Sequence, residues 1–182
     1  GPERVVLTGS GSSEYAGACA APEVQAALGV PVEVAGGGKL LLRRRASIRG
    51  GPALVVSLAR SGDSPESAAV IETLLDTEPA TRHLVVTCNR NGRAAREFAG
   101  DPRVSVICLN DEVNDRSLVM TSSFTNLALS ARFLGAAERP ADYVDRAERR
   151  NAAGRALLAS WPDRLAAFAS GGPPASFAAA ST

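Results

Sequence analysis

The chain has 182 residues, 45% of them hydrophobic and 21% charged, with 20 Lys+Arg against 19 Asp+Glu and a formal charge of +1. That length suits one α/β domain with an appendage, and the apolar content suffices for a packed core. The balanced charge offers no general attraction for nucleic acid or an anionic membrane, and no run of about 18 apolar residues marks a membrane span.

Five short apolar runs, each followed by a polar turn, organise the first two thirds of the sequence. The first run is 4–8. An Ala-rich helical pattern over 13–28 follows and stops at Gly29, a suitable left-handed C-cap. The second run, 31–35, closes on Gly36-Gly37-Gly38, which reads as a flexible loop, and Arg43-Arg44-Arg45 then reads as a solvated helix face sooner than a small anionic contact. The third run, 53–58, precedes a helix over 64–75 with apolar residues at 68, 71, 74 and 75. The fourth, 83–88, precedes a short helix at 92–98, and the fifth, 104–109, precedes a helix over 118–134. Continuous apolar runs are the mark of strands buried on both faces. Strands alternating with helices predict a parallel sheet in a three-layer α-β-α sandwich. From 141 to 169 the chain is charged, Ala-rich and helical, with a break at Trp161-Pro162. The expected division is a domain over 4–136, a helical extension over 137–170 and a tail or linker remnant over 171–182.

The polar inventory is narrow. His83 is the one histidine and Lys39 the one lysine. Cys19, Cys88 and Cys108 are far apart, which argues against a disulfide framework or a structural zinc site and favours a reducing, cytoplasmic compartment. Aromatics, at 4%, are too few for a base-stacking surface. No cofactor or metal is expected.

In an open parallel sheet, ligands bind outside the carboxyl ends of the strands. Two of those turns are dense in Ser and Gly and open directly onto helices. They are Thr8-Gly9-Ser10-Gly11-Ser12-Ser13-Glu14 and Ala59-Arg60-Ser61-Gly62-Asp63-Ser64-Pro65. Glycines let the backbone approach, free N–H groups point outward, and the helix dipole favours an anion. A compact tetrahedral group such as phosphate fits that chemistry. The plain reading stands beside it: Ser64 with Pro65 satisfies helix-capping rules unaided. A dinucleotide site is disfavoured, because Gly9-Ser10-Gly11 lacks the third glycine and no acidic residue ends the second strand. A P-loop is excluded, because Lys39 follows three glycines but precedes Leu40.

These turns resemble known ones. Ala59-Arg60-Ser61-Gly62-Asp63-Ser64 resembles the S-x-S-G-x-[ST] signature of sugar isomerase (SIS) domains, and Gly9-Ser10-Gly11-Ser12-Ser13 their first phosphosugar loop. The stretch Asn114-Asp115-Arg116-Ser117-Leu118-Val119-Met120-Thr121-Ser122-Ser123-Phe124 is similar to a segment of the tagatose-6-phosphate ketose/aldose isomerase, or galactosamine-6-phosphate deaminase/isomerase, family. The resemblance covers about residues 4–134 and implies a five-stranded parallel sheet of flavodoxin-like topology, packed as a homodimer or with a second SIS domain. It implies a hexose or aminohexose 6-phosphate as ligand. Ser61 and Ser64 then fall at phosphate positions, with Gly62 and Arg60 in the same turn. Ser13 lies toward the phosphate and Ser12 toward the sugar, beside Gly11. Asn89 follows the fourth strand, and Met120, Thr121 and Ser122 fall where other members line the sugar. Ala59 stands where many members carry another serine.

Mechanism is less legible. Aldose–ketose isomerisation needs a base to move a proton between C1 and C2. His83 starts a strand and so belongs to the opposite end of the sheet, where a structural role is expected. Glu14, Asp63, Glu66 and Asp115 are the nearby carboxylates. Glu14 and Glu66 suit helix first turns and Asp115 a helix cap, so no catalytic residue is singled out. The resemblance implies two SIS domains in tandem, with catalytic groups beyond the first, so this chain reads as one half-site. A phosphosugar isomerase, with or without deamination, is the leading expectation. A non-catalytic phosphosugar-binding or regulatory module is the alternative, and a nucleotide-binding domain is a distant third.

Overall fold

The computed structural model describes residues 1–48, 50–117 and 119–170, with the side chains of 44–47 left aside. The expected tail at 171–182 lies outside the described residues. The chain divides into two units, Gly1–Ala137 and Glu138–Thr182.

The first unit holds five strands: β1 (Arg4–Gly9), β2 (Val32–Gly36), β3 (Ala53–Ala59), β4 (Thr81–Thr87) and β5 (Val104–Cys108). All pair in parallel, in the order β2-β1-β3-β4-β5. This is the flavodoxin-like order, with its reversal at β1/β3. The helices are α1 (Ser12–Leu28), α2 (Gly37–Ser47), α3 (Pro65–Thr77), the single turn α4 (Arg93–Arg96) and α5 (Ser122–Phe133).

Alternation along the strands sends side chains to two faces. Val5, Leu7, Val56, Leu58 and Val86 meet Ala16, Ala20 and Val24 of α1 and Leu127 and Ala131 of α5. Val6, Ala35 and Val55 meet Leu40, Val70 and Leu74 of α2 and α3. Val85 and Val104 meet Ile71 and Ala94. Helices thus cover both faces, which gives the three layers. Small residues let them approach: a Cβ on Gly17 would stand 3.1 Å from the Leu7 side chain. Gly29 caps α1 at φ 67°, its N–H donating to the Gln25 carbonyl at 2.9 Å.

Two expectations need correction. The run Gly36-Gly37-Gly38 is not a loop: Gly36 ends β2 and Gly37 begins α2, so the helix expected at the arginines starts directly at the glycines. The glycines serve close packing. A Cβ on Gly36 would lie 2.6 Å from a Glu14 carboxylate oxygen, and one on Gly37 would lie 3.3 Å from the Glu66 Cβ. The fifth helix starts at Ser122, not at 118, for a reason given below.

The second unit is two helices, α6 (Pro140–Ser160) and α7 (Pro162–Ser170). Pro140 occupies the first helical turn of α6, where its missing N–H costs nothing. Trp161 separates the helices and Pro162 begins α7, and the Arg164 guanidinium lies 4.6 Å from the Trp161 ring centre. No described helix is long and apolar enough to cross a membrane.

Candidate functional site

The chain leaves β1 toward β2 but leaves β3 toward β4, on the other side. Loops that diverge from neighbouring strands open a crevice at their carboxyl ends. A cleft of about 120 Å³ lies there. Its walls are Ser10 and Ser13 after β1, Leu58, Ala59, Arg60, Ser61, Gly62 and Ser64 at the end of β3, Ser67 on α3, and Met120.

The β3 turn is held rigidly from behind. Gly62 adopts φ 67°, which favours glycine. A Cβ on Gly92 would collide with the Ser61 carbonyl, so the next turn can pack directly onto this one. The Asn89 side-chain amide donates to the Ser61 carbonyl at 2.9 Å, and the Ala94 N–H donates to the Gly62 carbonyl at 3.0 Å. The Thr87 hydroxyl donates to the Arg60 carbonyl at 3.4 Å. With the carbonyls engaged behind, the N–H groups of Ser61, Gly62 and Ser64 have no acceptor among the described residues. Unpaired N–H groups in a glycine turn before a helix N-terminus form an anion cradle.

Ser64 caps α3, its hydroxyl accepting from the Ser67 N–H at 3.3 Å and lying 2.5 Å from the Ser67 hydroxyl. At α1 the cap residue is Gly11, φ 58°, with no side-chain cap bond; the Ser13 and Glu14 N–H groups donate to the Ser10 and Gly11 carbonyls at 3.3 and 3.1 Å. Ser13 is 4% exposed and its hydroxyl has no hydrogen-bond partner among the described residues.

The sequence-predicted residues divide accordingly. Ser13, Arg60, Ser61, Gly62 and Ser64 line the cleft; Gly11, Ser12, Asn89, Thr121 and Ser122 do not. Gly11 and Ser12 are exposed at the start of α1. Asn89 buttresses the turn, as described. Arg60 is the one cation on the wall among the described residues, and its guanidinium donates to the Ser117 carbonyl at 2.6 Å and the Asp115 carbonyl at 3.4 Å. Thr121 and Ser122 serve α5: the Asp115 carboxylate accepts from the Thr121 N–H (2.9 Å), the Ser122 N–H (3.3 Å) and the Ser123 N–H (2.9 Å). It also accepts from the Thr121 hydroxyl (3.2 Å) and the Ser123 hydroxyl (2.6 Å). This carboxylate folds back onto the helix end and fixes its start at Ser122. The Ser123 hydroxyl, then the Ser123 and Thr121 N–H groups, hold its carboxyl well below the usual carboxylate range. Ser10 and Ser67 are wall residues that the sequence motifs did not single out. The signal for Ser67 was its place three residues after Ser64, on the same helix face.

Among the other carboxylates, Asp63 accepts from the Arg93 N–H at 3.0 Å and so ties the turn to α4. Glu14 is half-buried over Gly36, and its carboxylate has no hydrogen-bond or ion-pair partner among the described residues. Glu66 is exposed in the first turn of α3. His83 sits in the lower half of β4, 2% exposed, with no partner for either ring nitrogen among the described residues. Burial, reinforced by the Arg103 charge and opposed by Asp101, lowers its pKa to about 4. It is a neutral core residue away from the cleft. Burial first, then the Asp115 charge, pushes the Cys88 thiol up to about 11, which removes it as a nucleophile. All three cysteines are free.

No family model matches the chain. A Streptomyces coelicolor protein, provisionally named D-galactosamine-6-phosphate deaminase AgaS, is 38% identical over 94% of this chain and 47% of its own length. The D-galactosamine-6-phosphate deaminase AgaS of a Shewanella species is 32% identical over 93% of this chain and 46% of its own. The crystal structure of tagatose-6-phosphate ketose/aldose isomerase from Escherichia coli superposes with a TM-score of 0.74 at 29% identity, covering 85% of this chain and 43% of that one. The chain spans about half the length of the curated relatives it matches.

Proposed function

The chain belongs to the sugar isomerase (SIS) family of these phosphosugar enzymes, and on that premise we propose that its switch-point cleft holds a hexose or aminohexose 6-phosphate. The observation that carries this reading is the cradle of unpaired N–H groups at Ser61, Gly62 and Ser64, faced by the Ser13 hydroxyl. Phosphate accepts from these donors, with the Ser61 and Ser64 hydroxyls beside them and the α1 and α3 dipoles behind. Arg60 adds a positive charge on the wall, and Met120 an apolar surface for the sugar.

Chemistry by the complete enzyme would be aldose–ketose isomerisation of tagatose 6-phosphate, or deamination and isomerisation of galactosamine 6-phosphate. A specific observation favours a second reading for this chain alone. The ten wall residues include no carboxylate, imidazole or lysine to move a proton between C1 and C2. A phosphosugar-binding module that receives its proton-transfer group from another segment, from a second SIS domain or from a twin chain agrees with that wall. The free cysteines favour a cytoplasmic setting.

Calorimetric titration tests the binding. Galactosamine 6-phosphate or tagatose 6-phosphate should bind, and galactosamine should not. Hydrogen bonds to a charged group contribute about 1.5–3 kcal/mol each, so Ser61→Ala with Ser64→Ala should weaken binding on the order of a hundredfold. Equal affinity for the sugar with and without phosphate would refute the reading. Ammonia release or ketose formation by this chain alone would exclude the module.

A further inference from the structure

Thr8 and Ser57 are register partners on β1 and β3, the two strands between which the cleft opens. Both are buried, 3% and 4% exposed. Neither hydroxyl has a hydrogen-bond partner among the described residues. Both point to the face covered by α2 and α3, since Val6 and Val55, two residues earlier on the same strands, pack there against Leu40 and Val70. Two residues further on stand Ser10 and Ala59, both walls of the cleft. Ser10 belongs to this same face: its hydroxyl would lie 3.4 Å from a Cβ on Gly37, itself beside Val70. The column therefore runs from apolar residues, through two hydroxyls without partners, to the cleft floor.

Buried hydroxyls are almost always hydrogen-bonded to protein or to ordered water, and valine or alanine at these places would avoid the need. Adjacent strands lie roughly 4.8 Å apart, a spacing at which one water can reach both hydroxyls with ordinary hydrogen bonds. Such a water needs two to four polar partners. Thr8 and Ser57 supply two, and the Ser10 hydroxyl, with no partner among the described residues, stands on the cleft side of them.

We propose that Thr8 and Ser57 are positioning residues that hold one bridging water beneath the cleft, and that this water fixes Ser10 on the floor against which the phosphate seats. The proposal rests on the phosphate reading of the cleft. It explains why two unpartnered hydroxyls stand side by side at the strand pair where the order reverses.

The test uses the 182-residue chain and inorganic phosphate as probe. Thr8→Val and Ser57→Ala remove the hydroxyls with little change of shape, while Thr8→Ser keeps one. The double variant should bind phosphate at least fivefold more weakly with a melting temperature equal to or above wild type, and Thr8→Ser should stay within twofold of wild type. A crystal structure of the wild type should contain a water within hydrogen-bond distance of both oxygens. Phosphate affinity of the double variant within twofold of wild type, or a dry gap between the hydroxyls, overturns this inference and leaves the cleft reading intact. A wild-type chain that takes up neither phosphate nor sugar phosphate overturns both.

Discussion

The first turns of α5 and α3 face the same electrostatic problem and solve it differently. Each helix presents unpaired N–H groups and the positive end of its dipole near the carboxyl edge of the sheet. At α5 the chain supplies its own anion: the Asp115 carboxylate accepts from three backbone N–H groups and two hydroxyls. At α3 only the neutral Ser64 hydroxyl caps the helix, and the N–H groups of Ser61, Gly62 and Ser64 have no acceptor among the described residues, while the Asp63 N–H donates to the Ser61 hydroxyl at 3.3 Å. Nearby carboxylates exist, but Asp63 is drawn aside to the Arg93 N–H and Glu66 is exposed. One helix end is closed by the protein's own carboxylate, and the other is the end at which the proposed ligand would sit.

The contrast can be broken by giving α3 what α5 has. Ser64→Asp keeps a capping side chain but places a negative charge at the mouth of the cleft. Phosphate or sugar-phosphate affinity should fall at least a hundredfold, while the melting temperature without ligand should match or exceed wild type. Retained affinity, read by calorimetry, would mean that the anion binds elsewhere.

Acid titration separates the two ends next. Asp115 stays ionised well below the usual carboxylate range, so the α5 cap should survive mild acid. Stability should nonetheless fall, because of His83. Its pKa is about 4 in the folded chain against 6.5 for an unperturbed imidazole, so the unfolded chain binds the extra proton. The stabilisation is complete above pH 6.5 and is lost as pH falls toward 4, at about 1.4 kcal/mol per unit in the steep range, or about 2 kcal/mol between pH 8 and pH 5. Chemical denaturation at several pH values should show this slope in wild type and not in His83→Leu. The same slope in both proteins would move the cause to another group.

A smaller effect is expected from Asp115→Asn, which keeps an acceptor but removes the charge. The melting temperature should fall by a few degrees, by the same amount with and without phosphate. Recovery on adding phosphate would show that α5, too, can accept an external anion.

The strands were readable because both faces of a parallel sheet are buried. The run at 53–58 has no polar face to break it apart from Ser57, and the structure places β3 at Ala53–Ala59. Helix α2 was readable at its arginines but not at its start, because local propensity and packing conflict there. Three glycines oppose a helix, yet the space they leave admits Glu14 and Ser10 from neighbouring elements. Asp115 was legible as a helix cap, but its reach to Ser123, eight residues on, shortened the helix in a way periodicity does not reveal. At the site, Ser13, Ser61 and Ser64 could be named because each follows a strand directly. Asn89 follows one as well, but its amide turns inward to the Ser61 carbonyl, and only coordinates separate a buttress from a wall. The pairing of Thr8 with Ser57 depends on strand register, which no local pattern encodes.

That register has a kinetic side. Thr8 and Ser57 are roughly 50 residues apart in the chain, with β2 and α2 made between them. As the chain emerges, β1 can pair with β2 early, but the cleft does not exist until β3 docks on the other edge of β1. Long-range strand pairing is slow, because the entropy of closing the loop must be met before its contacts form. The cleft is therefore created in one late event, and any anion it then captures stabilises the β1–β3 pairing on which the rest of the sheet is built.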